Sequence, residues 1–172
     1  NLNDLDADII FIKNIDNVVP DRLKDVTIKY KKALGGLLLK IQEKIFRYQK
    51  YLNERHHSVI ESAFLAEAAN FMENVLCTKP SENQYYEEKE SLYHYLKEKY
   101  NRPVRVCGMV KNQGEPGGGP FWAKNPDSTV SLQIVESVQI DPDNNEQQSI
   151  IAGSTHFNPV DIVCAVKNYR GV

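Results

Sequence analysis

Leu34, Leu37, Leu38, Ile41, Ile45, Tyr48 and Leu52 recur at three- and four-residue steps. Only a helix puts such positions on one face, so the chain must contain a long amphipathic helix with something to bury that face against. Gly35-Gly36 interrupts the pattern. Each glycine costs about 1 kcal/mol relative to alanine inside a helix, which predicts a bend, a break or a late helix start there. Two further helices are expected. One opens at Ser58, where Ser58-Val59-Ile60-Glu61 fits a capping box and Ile60, Phe64, Ala68, Phe71, Met72 and Val75 form an apolar face. The other opens at Pro80-Ser81-Glu82-Asn83-Gln84, with Tyr86, Tyr93, Leu96 and Tyr100 along one side.

The helical stretch, residues 22–100, is flanked by β-type sequence. Ala7–Ile12 is a short apolar run of the kind found in a buried central strand. After residue 100 the texture turns β-rich. Val104–Val110 and Thr129–Ile140 alternate like strands, Gln148–Ala152 reads as another, and Ile162–Val166 as a last one. Asp141–Asn145 is a turn by its breaker chemistry, and Asn158-Pro159 opens a short helix or turn. The expectation is one α/β domain over residues 1–172: a mixed β-sheet, a helical insertion at 22–100 and a β-rich part at 101–172.

With 172 residues, 41% of them hydrophobic and 26% charged, the chain can bury a core without disulfide or metal support. The cysteines, Cys77, Cys107 and Cys164, are odd in number and far apart. They read as free thiols of a reducing, cytoplasmic compartment. No apolar run approaches the ~20 residues of a membrane helix, so no membrane association is expected. A formal charge of −2 argues against a nucleic-acid coat. The charge is uneven, however. Residues 22–55 hold ten Lys/Arg against three Asp/Glu, and residues 57–98 hold three Lys against eight Glu. Packing of a basic helix on acidic ones is the simplest account, and a phosphate- or RNA-binding face the sharper one.

Three constellations could carry chemistry. Asp16 and Asn17 follow the first strand, where a carboxylate can hold a divalent cation; equally, both can bond their own backbone in a polar turn. Asn112 to about Asp127 reads as neither helix nor strand, and long irregular loops in compact domains are usually functional or disordered. Within it, Gly114, Glu115, Gly117, Gly118 and Gly119 precede Phe121 and Trp122, so bare backbone N–H groups sit beside an aromatic wall suited to a sugar or base. A floppy connection is the plainer alternative. The third is Gly153-Ser154-Thr155-His156-Phe157-Asn158, in which His156 either bonds a phosphate or hydroxyl or packs as a satisfied histidine. No zinc spacing, Walker A loop or Gly-x-Ser-x-Gly elbow is present.

In order, these pieces resemble the later part of sugar-nucleotide pyrophosphorylases of the UDP-sugar type. Ile15-Asp16-Asn17 resembles their strand-ending Asp-Asn pair, Ile134-Val135-Glu136-Ser137 is similar to their Val-Glu-x-Ser element, and Gly153–Asn158 is a loose match to a Gly-Asn-x-x-His-Phe-like element, with Ser154 where Asn is usual. A closer resemblance is to an uncharacterised bacterial domain-of-unknown-function family with nucleotidyltransferase-like features, through Gly114–Trp122 and His156–Asp161. The resemblance implies a partial nucleotidyltransferase-like fold of the GT-A type. It implies a sugar-phosphate-binding portion in which Asp16 holds Mg²⁺ and Asn17, Gly114, Glu115, Gly117, Gly118, Gly119, Glu136 and His156 bind a nucleotide sugar or sugar phosphate. The glycine-rich, basic strand–loop that grips a triphosphate has no counterpart in the sequence. The chain is therefore expected to be an inactive fragment of a larger protein, with an apolar sheet edge beside Ile9–Ile12 through which two copies would pair. A non-catalytic nucleotide-sugar-binding module and a helical protein-interaction domain are the alternatives.

Overall fold

The computed structural model describes residues 4–80, 88–114 and 117–172. In chain order the elements are β1 (Ile10–Lys13), α1 (Lys24–Glu54), α2 (Ser62–Asn74), β2 (Thr78–Lys79), α3 (Lys89–Tyr100), β3 (Val104–Cys107), β4 (Val110–Lys111), β5 (Gly119–Lys124), β6 (Val130–Val135), α4 (Asn145–Ala152), β7 (His156–Phe157) and β8 (Asp161–Ala165). Short 3-10 turns cover Ile15–Asn17, Asp21–Leu23, His57–Val59 and Ser137–Gln139.

The strands form three small sheets, ordered β1-β8-β3, β2-β6-β5 and β4-β7. Every strand pair among the described residues is antiparallel. This replaces the single mixed sheet expected from sequence. It also moves β1 to an edge, because β8 is the central strand of its sheet. The apolar run at the start of the chain is explained by one covered face: Ile10 is buried, while Phe11 is half-exposed and leans on α1.

The 31 residues of α1 run through Gly35-Gly36 without a break. The reason lies across the interface. A Cβ on Gly35 would stand 3.0 Å from Cζ of Phe11, so glycine lets the ring lie directly on the helix, where a larger residue would push it outward. The C-terminal part of α1 packs with α2 and α3 around Ile45, Tyr48, Leu52, Leu65, Met72 and Leu96. Three tyrosine hydroxyls of this cluster find partners, as burial favours. Tyr48 donates to Oε1 of Glu67 at 2.7 Å, Tyr100 to the Ala68 carbonyl at 2.7 Å, and Tyr93 to the Leu52 carbonyl at 3.0 Å. Burial, reinforced by the Glu67 carboxylate, pushes the Tyr48 hydroxyl well above the ordinary phenol range. A second cluster, Leu38 with Val163 and Ala165, joins α1 to the first sheet, and Val104 touches both clusters.

Other boundaries differ from expectation. Helix α2 starts at Ser62, because His57–Val59 forms a separate turn whose Ser58 N–H bonds Nδ1 of His56. The expected start of the third helix, Ser81–Gln84, and Tyr86 lie outside the described residues. Gln148–Ala152 is helix, not strand: the Asn144 side chain accepts from the Gln147 N–H and caps α4. The run 129–140 is strand only to Val135, then turns under a capping box between Glu136 and Gln139. Part of the irregular 112–127 segment is strand β5, which pairs with β6 over its whole length. The basic surplus of 22–55 is only partly spent on α2, through Lys44 at 3.9 Å from Glu67.

Candidate functional site

The hairpin β5–β6 brings the glycine run against the two later motifs. A Cβ on Gly117 would lie 2.9 Å from Cδ2 of Phe157. One on Gly118 would lie 2.5 Å from Cγ2 of Ile134 and 2.6 Å from Oε1 of Glu136. These glycines are therefore spaces filled by the protein's own side chains, which brings Glu136 and β7 close to the loop. Gly119 opens β5, with Oγ of Ser154 3.3 Å from where its Cβ would be. Gly114, at φ +107, turns the chain with its N–H on Oδ1 of Asn112 at 2.8 Å. Glu115 lies outside the described residues.

Between β5, α4 and β7 lies a cleft of about 340 Å³. Met109, Pro120, Phe121 and Ile150 supply its apolar side, and Ser154, Thr155 and His156 its polar side. Nδ1 of His156 is 2.9 Å from Oγ1 of Thr155, and Ser154 donates to the His156 carbonyl at 3.1 Å. These bonds orient the imidazole and leave Nε2 without a partner among the described residues. An aromatic face opposite hydroxyls and an imidazole suits a ligand with one apolar and one polar side. Trp122 takes no part: side chains alternate along a strand, so it faces away from Phe121, with the Lys79 ammonium 5.1 Å from its ring centre.

Asn158 joins the segments. Only 4% exposed, it donates its N–H to the Gly118 carbonyl at 2.8 Å and Nδ2 to the Gly108 carbonyl at 2.6 Å, and Oδ1 accepts the Val160 N–H at 3.0 Å. Val160 sits at φ +57, a conformation that costs a β-branched residue about 1–2 kcal/mol. It is held there by Asn158 on one side and by the Asn14 N–H, 3.3 Å from its carbonyl, on the other. Asn17 then donates Nδ2 to the Pro159 carbonyl at 2.7 Å. In this way the Asn14–Asn17 turn is fastened to the segment that follows His156. The Asn-Pro pair was the one sequence signal for Asn158, since Asn bonds its own backbone two residues on. Nothing in a valine announces a positive φ.

Asp16 is exposed, and its carboxylate has no partner among the described residues. The neighbouring carboxylate, Asp161, is held by Lys13 at 2.9 Å. No group of three or more His, Cys, Asp or Glu side chains among the described residues could hold a metal ion. A larger cleft of about 580 Å³, lined by Asn53, His94, Lys97 and Arg170 among others, lies at the C-terminal ends of α1 and α3 and includes none of the motif residues. The three cysteines are free, and burial pushes the Cys107 and Cys164 thiols up, away from reactivity.

The family model described as Domain of unknown function (DUF4301) matches residues 1–172. The chain belongs to this family. No curated protein and no solved structure matches it. Membership of DUF4301 accords with the expected resemblance to an uncharacterised domain-of-unknown-function family, and it brings with it neither an activity nor a relationship to nucleotidyltransferases. Among the described residues of this DUF4301 chain, no helix is long and apolar enough to cross a membrane.

Proposed function

We propose that this chain binds a phosphorylated sugar, or the sugar-phosphate half of a nucleotide sugar, in the cleft between β5, α4 and β7. The observation that carries the reading is convergence. Pro120–Phe121, Ile150 and Ser154–His156 are separated in sequence, and they line one cleft with an aromatic wall; Gly119 borders it beside Ser154, while Gly117, Gly118 and Glu136 do not line it. In this reading Phe121 and Met109 cover the apolar face of the sugar. Ser154 and Thr155 bond its hydroxyls, and Nε2 of His156 donates to a phosphate oxygen. Glu136 acts one step removed, by pressing on Gly118 and setting the course of β5.

The finer reading makes the cleft the sugar side of a nucleotidyltransferase-like protein of GT-A type, and it rests on the order of the motifs. Its reaction would be attack of a sugar-1-phosphate oxygen on the α-phosphate of a nucleoside triphosphate, with pyrophosphate leaving. Such chemistry depends on positioning and charge neutralisation. Mg²⁺ belongs to the same proposal. It takes one or two carboxylates plus substrate phosphates, and Asp16 offers one carboxylate on a turn tied to Pro159. Binding without catalysis has its own support, because Gly117 and Gly118 are packed against Phe157, Ile134 and Glu136 and so offer no open cradle for a triphosphate.

Calorimetric titration with a panel of sugar-1-phosphates and nucleotide sugars, with and without Mg²⁺, tests the site. Binding should occur and should weaken at least tenfold in His156→Ala and in Phe121→Ala, with Trp122→Ala unaffected. Failure of the whole panel to bind, or equal affinity in all three variants, refutes it. Pyrophosphate release from nucleoside triphosphate plus sugar-1-phosphate separates transfer from binding alone.

A further inference from the structure

We propose that the N-terminal third of α1 is a docking helix for a partner protein that presents an acidic helix with an apolar stripe. The first buried position of α1 is Gly35. Leu34 still packs on the Leu38–Val163–Ala165 cluster, and residues 24–33 before it run on for about 15 Å at 1.5 Å per residue. This stretch is far from polar. Val26 is 64% exposed and Tyr30 68% exposed, with Leu23 and Leu37 about half-exposed. Leu23, Val26, Tyr30, Ala33 and Leu37 follow one another at steps of three, four, three and four, which is the spacing of a two-helix seam.

A helical end this short is marginal in water on its own, so an apolar stripe along it calls for a cover. The flanking charge says of what kind. Within residues 21–33, Arg22, Lys24, Lys29, Lys31 and Lys32 stand against Asp21 and Asp25; Lys24 is paired with Asp21, and Arg22, Lys29 and Lys32 lie along one side of the stripe. Two copies pairing through this segment would bring two such positive surpluses together, and an antiparallel pair would set Arg22 and Lys29 of one against those of the other. An anionic membrane would satisfy the charge, but helices that lie on membranes carry a broad apolar face with Trp, Phe or Leu. Here Tyr30 is the stripe's one aromatic, and the other exposed apolar side chains of this part of α1, Ile28 and Leu39, stand on a different side of the helix, so no single broad apolar face forms. A seam with one basic flank is complementary to a helix with apolar a and d positions and Glu beside them.

The probe is a synthetic peptide of about three heptads with Leu at a and d and Glu at e and g. Its binding to the whole chain is followed by fluorescence anisotropy. Saturable binding is expected, falling steeply with salt and weakened at least tenfold by Val26→Ser/Tyr30→Ser. Both positions are outside the core, so the melting temperature should stay put. Lys29→Glu/Lys32→Glu, which keeps the apolar seam, should lose the Glu peptide and gain a Lys-flanked counterpart. The proposal is overturned if the peptide does not bind, or binds the variants as well as the native chain. It is also overturned if phosphatidylserine vesicles recruit the protein where the peptide does not, or if sedimentation shows a dimer that Val26→Ser/Tyr30→Ser dissolves.

Discussion

The helical body and the β5–β6–α4–β7 region are held together in different ways. Around Tyr48 the three long helices share a dense aromatic and aliphatic cluster. No residue of β5, β6, α4 or β7 belongs to either core cluster. The buried positions on that side are largely polar: Thr129, Ser131 and Asn158. Asn125 bonds Thr129 and Ser131, and Asn158 bonds Gly118, Gly108 and Val160. Lys99, 6% exposed, reaches from the end of α3 to Asp127 in the β5–β6 turn. Apolar burial tolerates small shifts, whereas hydrogen bonds demand one register. The candidate cleft therefore sits where the geometry is most specific and the local stability lowest.

Four substitutions can break or sharpen this contrast. Leu52→Ala opens a cavity in the helical cluster and should cost about 3 kcal/mol of global stability. Chemical denaturation should show it, with helix and sheet probes moving together. Asn158→Ala leaves the Gly108 carbonyl without its donor and releases Val160. A loss of about 2 kcal/mol is expected. Hydrogen exchange should quicken in β5, β7 and the 158–161 segment while α1 to α3 stay protected. Equal exchange throughout the molecule would show that the two regions are one cooperative unit.

Asp127→Asn tests the tie between the regions. Hydrogen bonds from Lys99 and then Thr129 hold the Asp127 carboxyl well below the usual carboxylate range. Burial opposes the charge on Lys99, yet its bonds to Asp127 and Glu98 leave its pKa raised. Asp127 is partly solvent-exposed and Lys99 keeps Glu98, so the variant should lose only about 1 kcal/mol. The sign with pH follows from the depressed pKa. The contribution is complete above about pH 4, the unfolded value, and disappears as pH falls through the lower folded value. The native chain should lose more stability than Asp127→Asn on acidification below pH 4. Val160→Gly gives the smallest effect. Relief of about 1–2 kcal/mol of strain is set against about 0.5–1 kcal/mol of added chain entropy, a net gain of about 0.5 kcal/mol. A lower melting temperature would show that the valine side chain matters more than its backbone.

The periodicity from Leu34 to Leu52 was enough to place a helix, because positions three and four apart are neighbours wherever the helix goes. Ile162–Val166 likewise announced the best-buried strand, and the breakers of Asp141–Asn145 announced a turn. These features depend on residues close in sequence. Three others were not legible, the first because of a local cap and the other two because of distant contacts. Gln148–Ala152 has both alternation and helical spacing, and the Asn144 cap decided for helix. The glycines at 117–119 promised an open loop, but Ile134, Glu136 and Phe157 fill the space over them. Asp16, Glu136 and His156 could be named from the motifs they resemble. That Gly118 and Asn158 link the segments carrying them follows only from the pairing of β5 with β6 and from one buried amide. Strand partners and hydrogen-bonding hubs join residues far apart in the chain, and a local pattern of side chains carries no record of which distant segment will lie beside it.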